Sequence, residues 1–565
     1  MSAEAPSSNG NAAAWAELIA AVVVAFLVWH VGLAMTTDLR LSDVKVTLDA
    51  LKDFSPAAVA GNPASRWVPA AVIGLILMIG YTAFRMWFAI WWHRRRHGRG
   101  KSKGMSSGKE LAQRIRGHKN APTFVTPPLL KVDNKPIGLR AEDVGLILAP
   151  PRQMKTSAVA ANQVLDAPGS VVATSIRADL MRLTITARKK RGPVWVLDLE
   201  NLSGHPERAT FPFIAGCEDA KVARERAAGM AAAIPLGGKD SGAHFADGVR
   251  AILRCLLHAA AVEGGTFKDV VRWSQNFRDE TPAEILRTKS PNPEWANTLD
   301  RWMRDDNPDT IGNTKTSLDR VMDTFMDTSV SDQLSVEPGA EGAFDIDRFL
   351  SEPSTLYVIV DDEASASVAP VATAIVSSIV KETNVLSQKS ETERLDPIVD
   401  LVLDEMVNIC PLPALPKMMS SGGGRHLRTF GYLQGWSQAE QRWGKEGAQT
   451  IWDSAQMKLA LTGLADDTLL EKFSRLIGHH WVTTQSHSES SGASGMSGST
   501  QWNERRERIM EPEAIRKIDE GSAVLLYREK DAIATLMPWW DRPDAKELAA
   551  GRDAVKAQAW SKADD

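Results

Sequence analysis

A lysine followed by a threonine, Lys155-Thr156, stands where an apolar run gives way to an amphipathic segment. A phosphate-binding loop, G-x-x-x-x-G-K-[ST], ends in the same way. Its backbone N–H groups cradle phosphate, its lysine neutralises the β/γ charge, and its hydroxyl binds Mg²⁺. The stretch therefore predicts a nucleotide site for ATP and Mg²⁺, lined by Ala149, Pro150, Pro151, Arg152, Gln153, Met154, Lys155, Thr156 and Ser157.

Both glycines of the usual loop are replaced here, by Ala149 and Met154. If Met154 must adopt a positive φ, its side chain costs about 1–2 kcal/mol. Functional sites tolerate strain of about 1–3 kcal/mol when the surroundings fix the geometry. The departure therefore predicts slow or weak use of nucleotide more readily than none.

Such a loop needs a carboxylate partner at the end of a neighbouring strand. One acid holds the Mg²⁺ shell, and an adjacent glutamate orients or deprotonates the attacking water. Two apolar runs end in suitable acids and a third is a weaker claimant, and the pattern alone does not choose between them: Asp361, Asp362 and Glu363 after "LYVIV", Asp404 and Glu405 after "DLVL", and Asp198 after "VWVL".

Two polar residues follow the second acid pair. A glycine-rich stretch leads to Arg425, and an apolar run ends at Gln434. An arginine finger and a phosphate-sensing amide would suit these places. The alternative is a flexible loop with one solvated arginine.

The elements around these residues indicate an α/β fold. Short continuous apolar runs, typical of strands buried on both faces, alternate with amphipathic segments from about residue 143, which predicts a parallel sheet. Residues 220–336 show only helical spacing and predict an inserted all-α domain. A Ser/Gly-rich stretch at 486–500 predicts a loop, 522–540 a final hairpin, and 546–565 a polar tail.

Two apolar stretches near the N-terminus, residues 18–35 and 69–92, are long enough for membrane-spanning helices. Ten Lys/Arg against one acid follow between residues 93 and 119. This basic flank predicts a multi-pass protein of the inner membrane with its C-terminal body in the cytoplasm. The formal net charge of -4 gives no global sign of a polyanion partner, and three separated cysteines form no disulfide framework.

These features together resemble the TraG-type coupling proteins of type IV secretion, relatives of the FtsK-like translocases. The resemblance covers nearly the whole chain and is most specific from "LVLDE" through "GYLQGWSQAEQRWG". It implies a RecA-like P-loop NTPase domain of residues 120–219 and 337–545, behind a membrane anchor of residues 1–119. It also selects Asp404 for Mg²⁺ through water and Glu405 as catalytic, makes Gln434 a sensor, and makes Arg425 a finger acting on a neighbouring subunit.

The resemblance further implies a homo-hexamer that couples relaxase-bound single-stranded DNA, or protein cargo, to the secretion channel during conjugation. Two functions remain in competition. The first is an ATP-hydrolysing motor, favoured by Lys155, Thr156, Asp404 and Glu405. The second is a membrane receptor or scaffold with a degenerate nucleotide site, favoured by Ala149 and Met154. A double-stranded DNA pump fits less well because of the helical insert.

Overall fold

The computed structural model describes residues 104–117, 126–232, 241–276, 278–304, 308–360, 365–492 and 495–559, together with positions 30, 45 and 85. The chain divides into two compact units, residues 1–101 and 102–565. No helix among the described residues is long and apolar enough to span a membrane. Apart from positions 30 and 85, the spans predicted at 18–35 and 69–92 lie outside the described residues.

Thirteen strands are present among the described residues. They are β1 (Leu130–Val132), β2 (Lys135–Ile137), β3 (Gly145–Leu148), β4 (Ser170–Ser175), β5 (Val194–Leu197), β6 (Thr355–Ile359), β7 (Val399–Leu403), β8 (Leu427–Leu433), β9 (Met457–Leu461), β10 (His479–Gly492), β11 (Gly495–Arg508), β12 (Ser522–Tyr527) and β13 (Lys530–Leu536).

Eleven of these strands form one sheet in the order β2-β1-β13-β12-β9-β3-β8-β7-β4-β6-β5. The seven strands from β9 to β5 are parallel, and the other four form an antiparallel extension. Strands β3, β4, β6, β7 and β8 are buried along their whole length, as expected where helices cover both faces. The α/β fold class predicted from the sequence is confirmed.

Helix α1 (Gly108–Arg116) precedes the first strand. The helices that follow strands are a π-helix (Lys155–Ala160) that continues into α2 (Ala161–Asp166), α3 (Asp179–Lys189), α12 (Ser365–Lys389), α13 (Leu415–Ser421), α14 (Trp436–Ser454), α15 (Asp467–Ile477), α16 (Pro512–Arg516) and α17 (Ala545–Gln558). Between β5 and β6 lie α4 (Ala220–Ala232), α5 (Ser241–Glu263), α6 (Phe267–Gln275), α7 (Thr281–Lys289), α8 (Ala296–Arg304), α9 (Pro308–Met322), α10 (Thr328–Leu334) and α11 (Ile346–Ser351). The described part of residues 220–336 contains helices and no strand.

Two apolar clusters build the core. The larger joins the residues of the helical insert to one face of the sheet, including Phe213, Phe267 and Leu401. The smaller covers the other face and includes Val159 and Tyr432. Since the nucleotide-binding loop follows β3 and the helix after it packs in the smaller cluster, both ends of this loop are fixed by buried elements.

Two segments differ from the sequence-based expectation. The Ser/Gly-rich stretch is not a loop: it forms the outer part of a two-stranded antiparallel hairpin, β10 and β11, whose register runs from His479 opposite Arg508 to Gly492 opposite Gly495. The polar tail contains α17, and Arg542 just before it forms a two-pronged ion pair with Asp166 at 2.6 and 3.0 Å. Amino-acid composition gave the wrong expectation for both segments, because the pairing of the hairpin strands and the docking of the tail are determined by tertiary contacts.

Candidate nucleotide site

The loop after β3 has the backbone shape that a glycine would favour. Met154, immediately before Lys155, has φ 53° and ψ 14°, and Arg152 has φ 65°. This left-handed region costs a residue with a side chain about 1–2 kcal/mol. The strain expected at Met154 from the sequence is therefore present in the structure.

Neighbouring turns hold the strained loop in place. Gly463 and Gly521 both have a φ of +78°, and a Cβ atom at Gly521 would lie 3.6 Å from Met154 Cε. A Cβ at Gly463 would lie 3.5 Å from Gln153 Nε2. Met154 itself is half-buried against the smaller apolar cluster. Packing on both sides is the kind of support that allows a functional site to keep a strained residue.

The loop presents its backbone amides in a cluster. The N–H groups of residues 152–157 donate no hydrogen bond to another described residue, and Pro150 and Pro151 carry no N–H. Helical bonding begins only with Ala158 N, which donates to Met154 O at 2.9 Å. The first turn is a π-helix in which Ala161 N donates to Thr156 O. Free amides at a helix N-terminus are suited to bind phosphate.

Lys155 lies against two carboxylates at the end of β7. Its Nζ is 2.8 Å from Asp404 Oδ1 and 2.5 Å from Glu405 Oε1. Burial lowers the pKa of Lys155, but the two carboxylates more than offset this effect and hold the pKa above its ordinary value. The lysine is therefore a fixed positive charge beside the loop.

One ammonium serves two buried acids, so Asp404 is not fully neutralised. Burial raises the pKa of Asp404, Lys155 opposes this, and the like charge of Glu405 adds to it. Its Oδ1 has the shared Lys155 ammonium as its cation, at 2.8 Å. Thr156 Oγ1 lies 3.4 Å from the other oxygen, Oδ2.

These donors fit a magnesium ion. Mg²⁺ is usually held by one or two carboxylates, several waters and substrate phosphates, and the described residues contain no group of three or more metal-binding side chains. The Asp404 carboxylate is buried and shares its one cation with Glu405, and the Thr156 hydroxyl is beside the same carboxylate. Asp404 and Thr156 are therefore the residues that would hold Mg²⁺ together with a nucleotide.

Glu405 is held between the loop and the adjacent strand. Gln434 Nε2 donates to Glu405 Oε1 at 2.6 Å, and Lys155 contacts the same oxygen. Because β8 lies between β3 and β7, the residue that follows β8 is placed between the loop and the acids. Glu405 has φ 54°, so a second residue of the site is in the left-handed region.

Of the three acid candidates, the structure brings Asp404 and Glu405 to the loop. Asp198 lies after β5, at the far edge of the sheet, and its carboxylate accepts hydrogen bonds from Leu202 N and Ser203 N. That carboxylate shapes a local turn. Residues 361–363 lie outside the described residues.

Arg425 is not at the site of its own chain. It precedes β8, whereas Gln434 follows it, so the length of the strand separates the two. Its Nη1 donates to Asn384 Oδ1 at 2.5 Å. Its assignment as a finger toward a neighbouring subunit stays a prediction.

Two features of the site were not found in the sequence. Thr174, at the end of β4, donates its hydroxyl to Asp404 O at 3.1 Å and fixes the turn that carries the acids. Gly463 and Gly521 make room for the loop. A glycine directly after a strand, as in "LALTG", was a visible signal for Gly463.

Comparison with known proteins agrees with this arrangement. Residues 398–520, which contain Asp404, Glu405, Arg425 and Gln434, match the family model described as the TraM recognition site of TraD and TraG. No curated protein matches the chain.

Solved structures share the fold. The bacterial conjugative coupling protein TrwBdeltaN70, in an unbound monoclinic form, is 16% identical, with a TM-score of 0.54 over 76% of this chain and 91% of that chain. The plasmid coupling protein TrwB in complex with ADP and Mg²⁺ gives 16% identity and a TM-score of 0.54 over 77% and 92%. Its complex with the non-hydrolysable ATP analogue ADPNP gives 16% and 0.52 over 77% and 92%. The chain therefore carries a segment that matches the family model of TraD and TraG, at residues 398–520, and it shares the fold of these coupling-protein structures.

Proposed function

We propose that this protein is a coupling ATPase of conjugation, which binds ATP with Mg²⁺ and uses its hydrolysis to deliver single-stranded DNA to a secretion channel. The observation that carries the proposal is the contact of Lys155 with both Asp404 and Glu405, with Gln434 on the same glutamate oxygen. An ammonium, a carboxylate that could hold a metal ion, a candidate base and an amide meet beside a cluster of free backbone amides. The likeness to a coupling protein whose structures contain ADP with Mg²⁺ supports this assignment.

The chain's own residues have distinct parts in this reaction. The amides of residues 152–157 bind the phosphates, and Lys155 turns from the acids to neutralise the charge of the terminal phosphates. Its departure frees Glu405 Oε1, which then orients and deprotonates the attacking water. Gln434 keeps that carboxylate in position. Asp404 and Thr156 would hold a Mg²⁺ ion, which would supply positive charge beside the phosphates when bound.

The proposal also covers the protein's binding partners and its cellular location. The match to the TraM recognition site of TraD and TraG supports contact with a relaxosome. The two apolar stretches and the basic flank support an inner-membrane anchor with the body in the cytoplasm. A homo-hexameric ring, with Arg425 of one subunit reaching the site of the next, completes the proposal.

A scaffold with little or no hydrolysis is the second candidate. It is favoured by the strained backbone of Met154 and by the ion pairs that hold Lys155 away from a phosphate position. Such a protein would recruit cargo while a separate ATPase supplied the energy.

ATP turnover by the full-length chain separates the two. We expect turnover that single-stranded DNA stimulates and that Lys155→Ala lowers by about a hundredfold or more, the usual loss when a charge-stabilising donor is removed. Lys189→Ala, which removes an exposed lysine paired with Glu207, is the matched control and should leave turnover unchanged. No turnover in a folded, ring-forming parent would refute the motor and support the scaffold.

A further inference from the structure

The hairpin of β10 and β11 stands apart from the main sheet and exposes two tryptophans. It forms a separate two-stranded sheet. Trp481 is 69% exposed and Trp502 is 64% exposed. Among the described residues only five large apolar side chains are this accessible, and Leu476, just before the hairpin, is a third member of that group. Exposed apolar surface concentrated in one place indicates a binding surface.

The register places both tryptophans on one face. Residues directly opposite each other in an antiparallel pair share a face, and so do residues two apart on a strand. Trp481 is opposite Arg506, Thr483 is opposite Glu504, and Trp502 is opposite position 485. Thus the two indole rings, the Arg506 guanidinium and the Glu504 carboxylate lie on the same side. We call this side, defined by Trp481, Trp502, Glu504 and Arg506, the tryptophan face.

The tryptophan face combines aromatic rings with a cation. Arg506 is exposed and forms no ion pair with a described residue, and it lies directly across from Trp481. The rings are four positions apart along the hairpin, about 14 Å at the rise of a strand. That spacing would let each ring stack a different base. Surfaces that bind single strands without sequence preference combine stacking rings with basic groups in this way.

We propose that the tryptophan face is a binding surface for single-stranded nucleic acid, on which Trp481 and Trp502 stack bases and Arg506 contacts the backbone phosphate. The proposal rests on the DNA-coupling function proposed above and gives it a location. The linear sequence did not reveal this surface, because its aromatic and basic residues come from two strands about twenty positions apart and become neighbours only through pairing.

The hairpin is joined to the nucleotide site by one helix. Asp466 caps the N-terminus of α15 and its Oδ2 accepts a hydrogen bond from Trp436 N at 2.7 Å, two residues after Gln434. At the base of the hairpin, Arg508 Nη1 and Nη2 donate to Glu471 of the same helix at 2.7 and 3.0 Å. A bound strand on the tryptophan face and a nucleotide at the loop would therefore both act on α15.

Binding of a fluorescein-labelled oligothymidylate to the full-length chain, followed by anisotropy, tests the proposal. We expect Trp481→Ala and Trp502→Ala each to weaken binding by roughly fivefold to a hundredfold, as for loss of one stacked base. Phenylalanine at either position keeps a ring and should restore most of the affinity. Trp540→Ala removes an exposed tryptophan elsewhere, 49% accessible, and should leave binding unchanged.

The charged residues of the face give a second, independent readout. Arg506→Gln should lower the steepness of log affinity against log salt by about 0.7, the amount for one phosphate contact to a single strand. Glu504→Gln removes a repulsive charge and should tighten binding a few fold. The alanine variants at the tryptophans should leave the salt slope unchanged, since they remove no charge.

Specific outcomes would overturn the proposal. If the wild type binds the oligonucleotide and both alanine variants bind it equally well, the hairpin is not the surface, while the proposed function is unaffected. If the variants instead change the oligomeric state in light scattering and not the DNA affinity, the face is an interface between copies. If the wild type hydrolyses ATP but binds no oligonucleotide, the DNA part of the proposed function fails with it.

Discussion

Strand β7 carries two buried acidic positions that are satisfied in very different ways. Near its start, Asp400 accepts two hydrogen bonds from Arg428, from Nε at 2.6 Å and from Nη2 at 2.5 Å. Just past its end, Asp404 has to share the single Lys155 ammonium with Glu405. We call Asp400 and Arg428 the closed pair, because both carboxylate oxygens are already bonded. We call Lys155, Asp404 and Glu405 the open cluster, because it can accept new ligands.

The difference follows from the cations. A guanidinium is a rigid fork that matches a carboxylate in two places, whereas an ammonium is a compact charge on a flexible stem. Arg428 and Asp400 are both almost wholly buried, with side chains 4% and 1% exposed, so solvent has little access to them. Lys155 is at the edge of the loop and can exchange partners. One strand therefore carries a structural ion pair and a site that responds to ligand.

Breaking the closed pair should have the largest effect. Arg428→Ala leaves Asp400 buried without a partner, and we expect the free energy of unfolding to fall by about 3–5 kcal/mol. Urea unfolding of the full-length chain measures it. The double variant Asp400→Leu with Arg428→Met removes both charges and should recover most of the loss. A loss below about 1 kcal/mol for the single variant would contradict the structural role.

Removing the acid of the open cluster should affect turnover and spare stability. Glu405→Gln keeps the shape and removes the base, so we expect hydrolysis to fall by about a hundredfold or more. Nucleotide affinity should remain within a few fold, because Lys155 and the loop amides are intact. Single-turnover hydrolysis and binding of a fluorescent nucleotide measure the two. Glu142→Gln, at an exposed ion pair with Arg394, is the control; equal turnover in both variants would exclude Glu405 as the base.

Lys458 is a third cation, and it contrasts with Lys155, whose ammonium contacts two carboxylates. Burial lowers the pKa of Lys458 to about 8, and Asp453 offsets this only in part. The folded protein therefore holds fewer protons than the unfolded chain between about pH 8 and 10.5, and its stability should rise with pH in that window. Lys155 has a raised pKa, so it contributes no increase in stability with pH over this window.

Comparison with Lys458→Met isolates this contribution. We expect the stability of the wild type, relative to Lys458→Met, to increase by about 1–3 kcal/mol across the window. Urea midpoints at a series of pH values between 7 and 10 measure the change. A constant difference between the two proteins at all pH values would show that Lys458 remains charged in the folded state.

A part of the fold or of the candidate site could be predicted from the sequence where a local pattern of residues determines it. The central strands were predictable because continuous apolar runs such as "SVVATS" indicate burial on both faces. The choice of Asp404 over other strand-end acids was not, since each candidate run looks alike; it came from the family resemblance. The strand order that places Gln434 beside Glu405 is a tertiary fact.

The strands that the sequence did not predict also depend on non-local contacts. Strands β1 and β2 are three residues long, too short for a periodic signal, and Pro136 in β2 argues against a strand. The hairpin of β10 and β11 has Ser and Gly where strands usually have branched residues. The pairing that forms the tryptophan face joins residues about twenty positions apart, so it is not visible as a local pattern.

Met154 gives the smallest effect and the most direct test of the loop. Its left-handed backbone should make Met154→Gly more stable than Met154→Ala by about 1 kcal/mol, since both lose the side chain and only alanine keeps the strain. Urea midpoints compare them. Equal stability would mean that the loop relaxes without its side chain. If turnover also rises in Met154→Gly and not in Met154→Ala, backbone strain at this residue limits hydrolysis; if both rise, the packed side chain against Gly521 does.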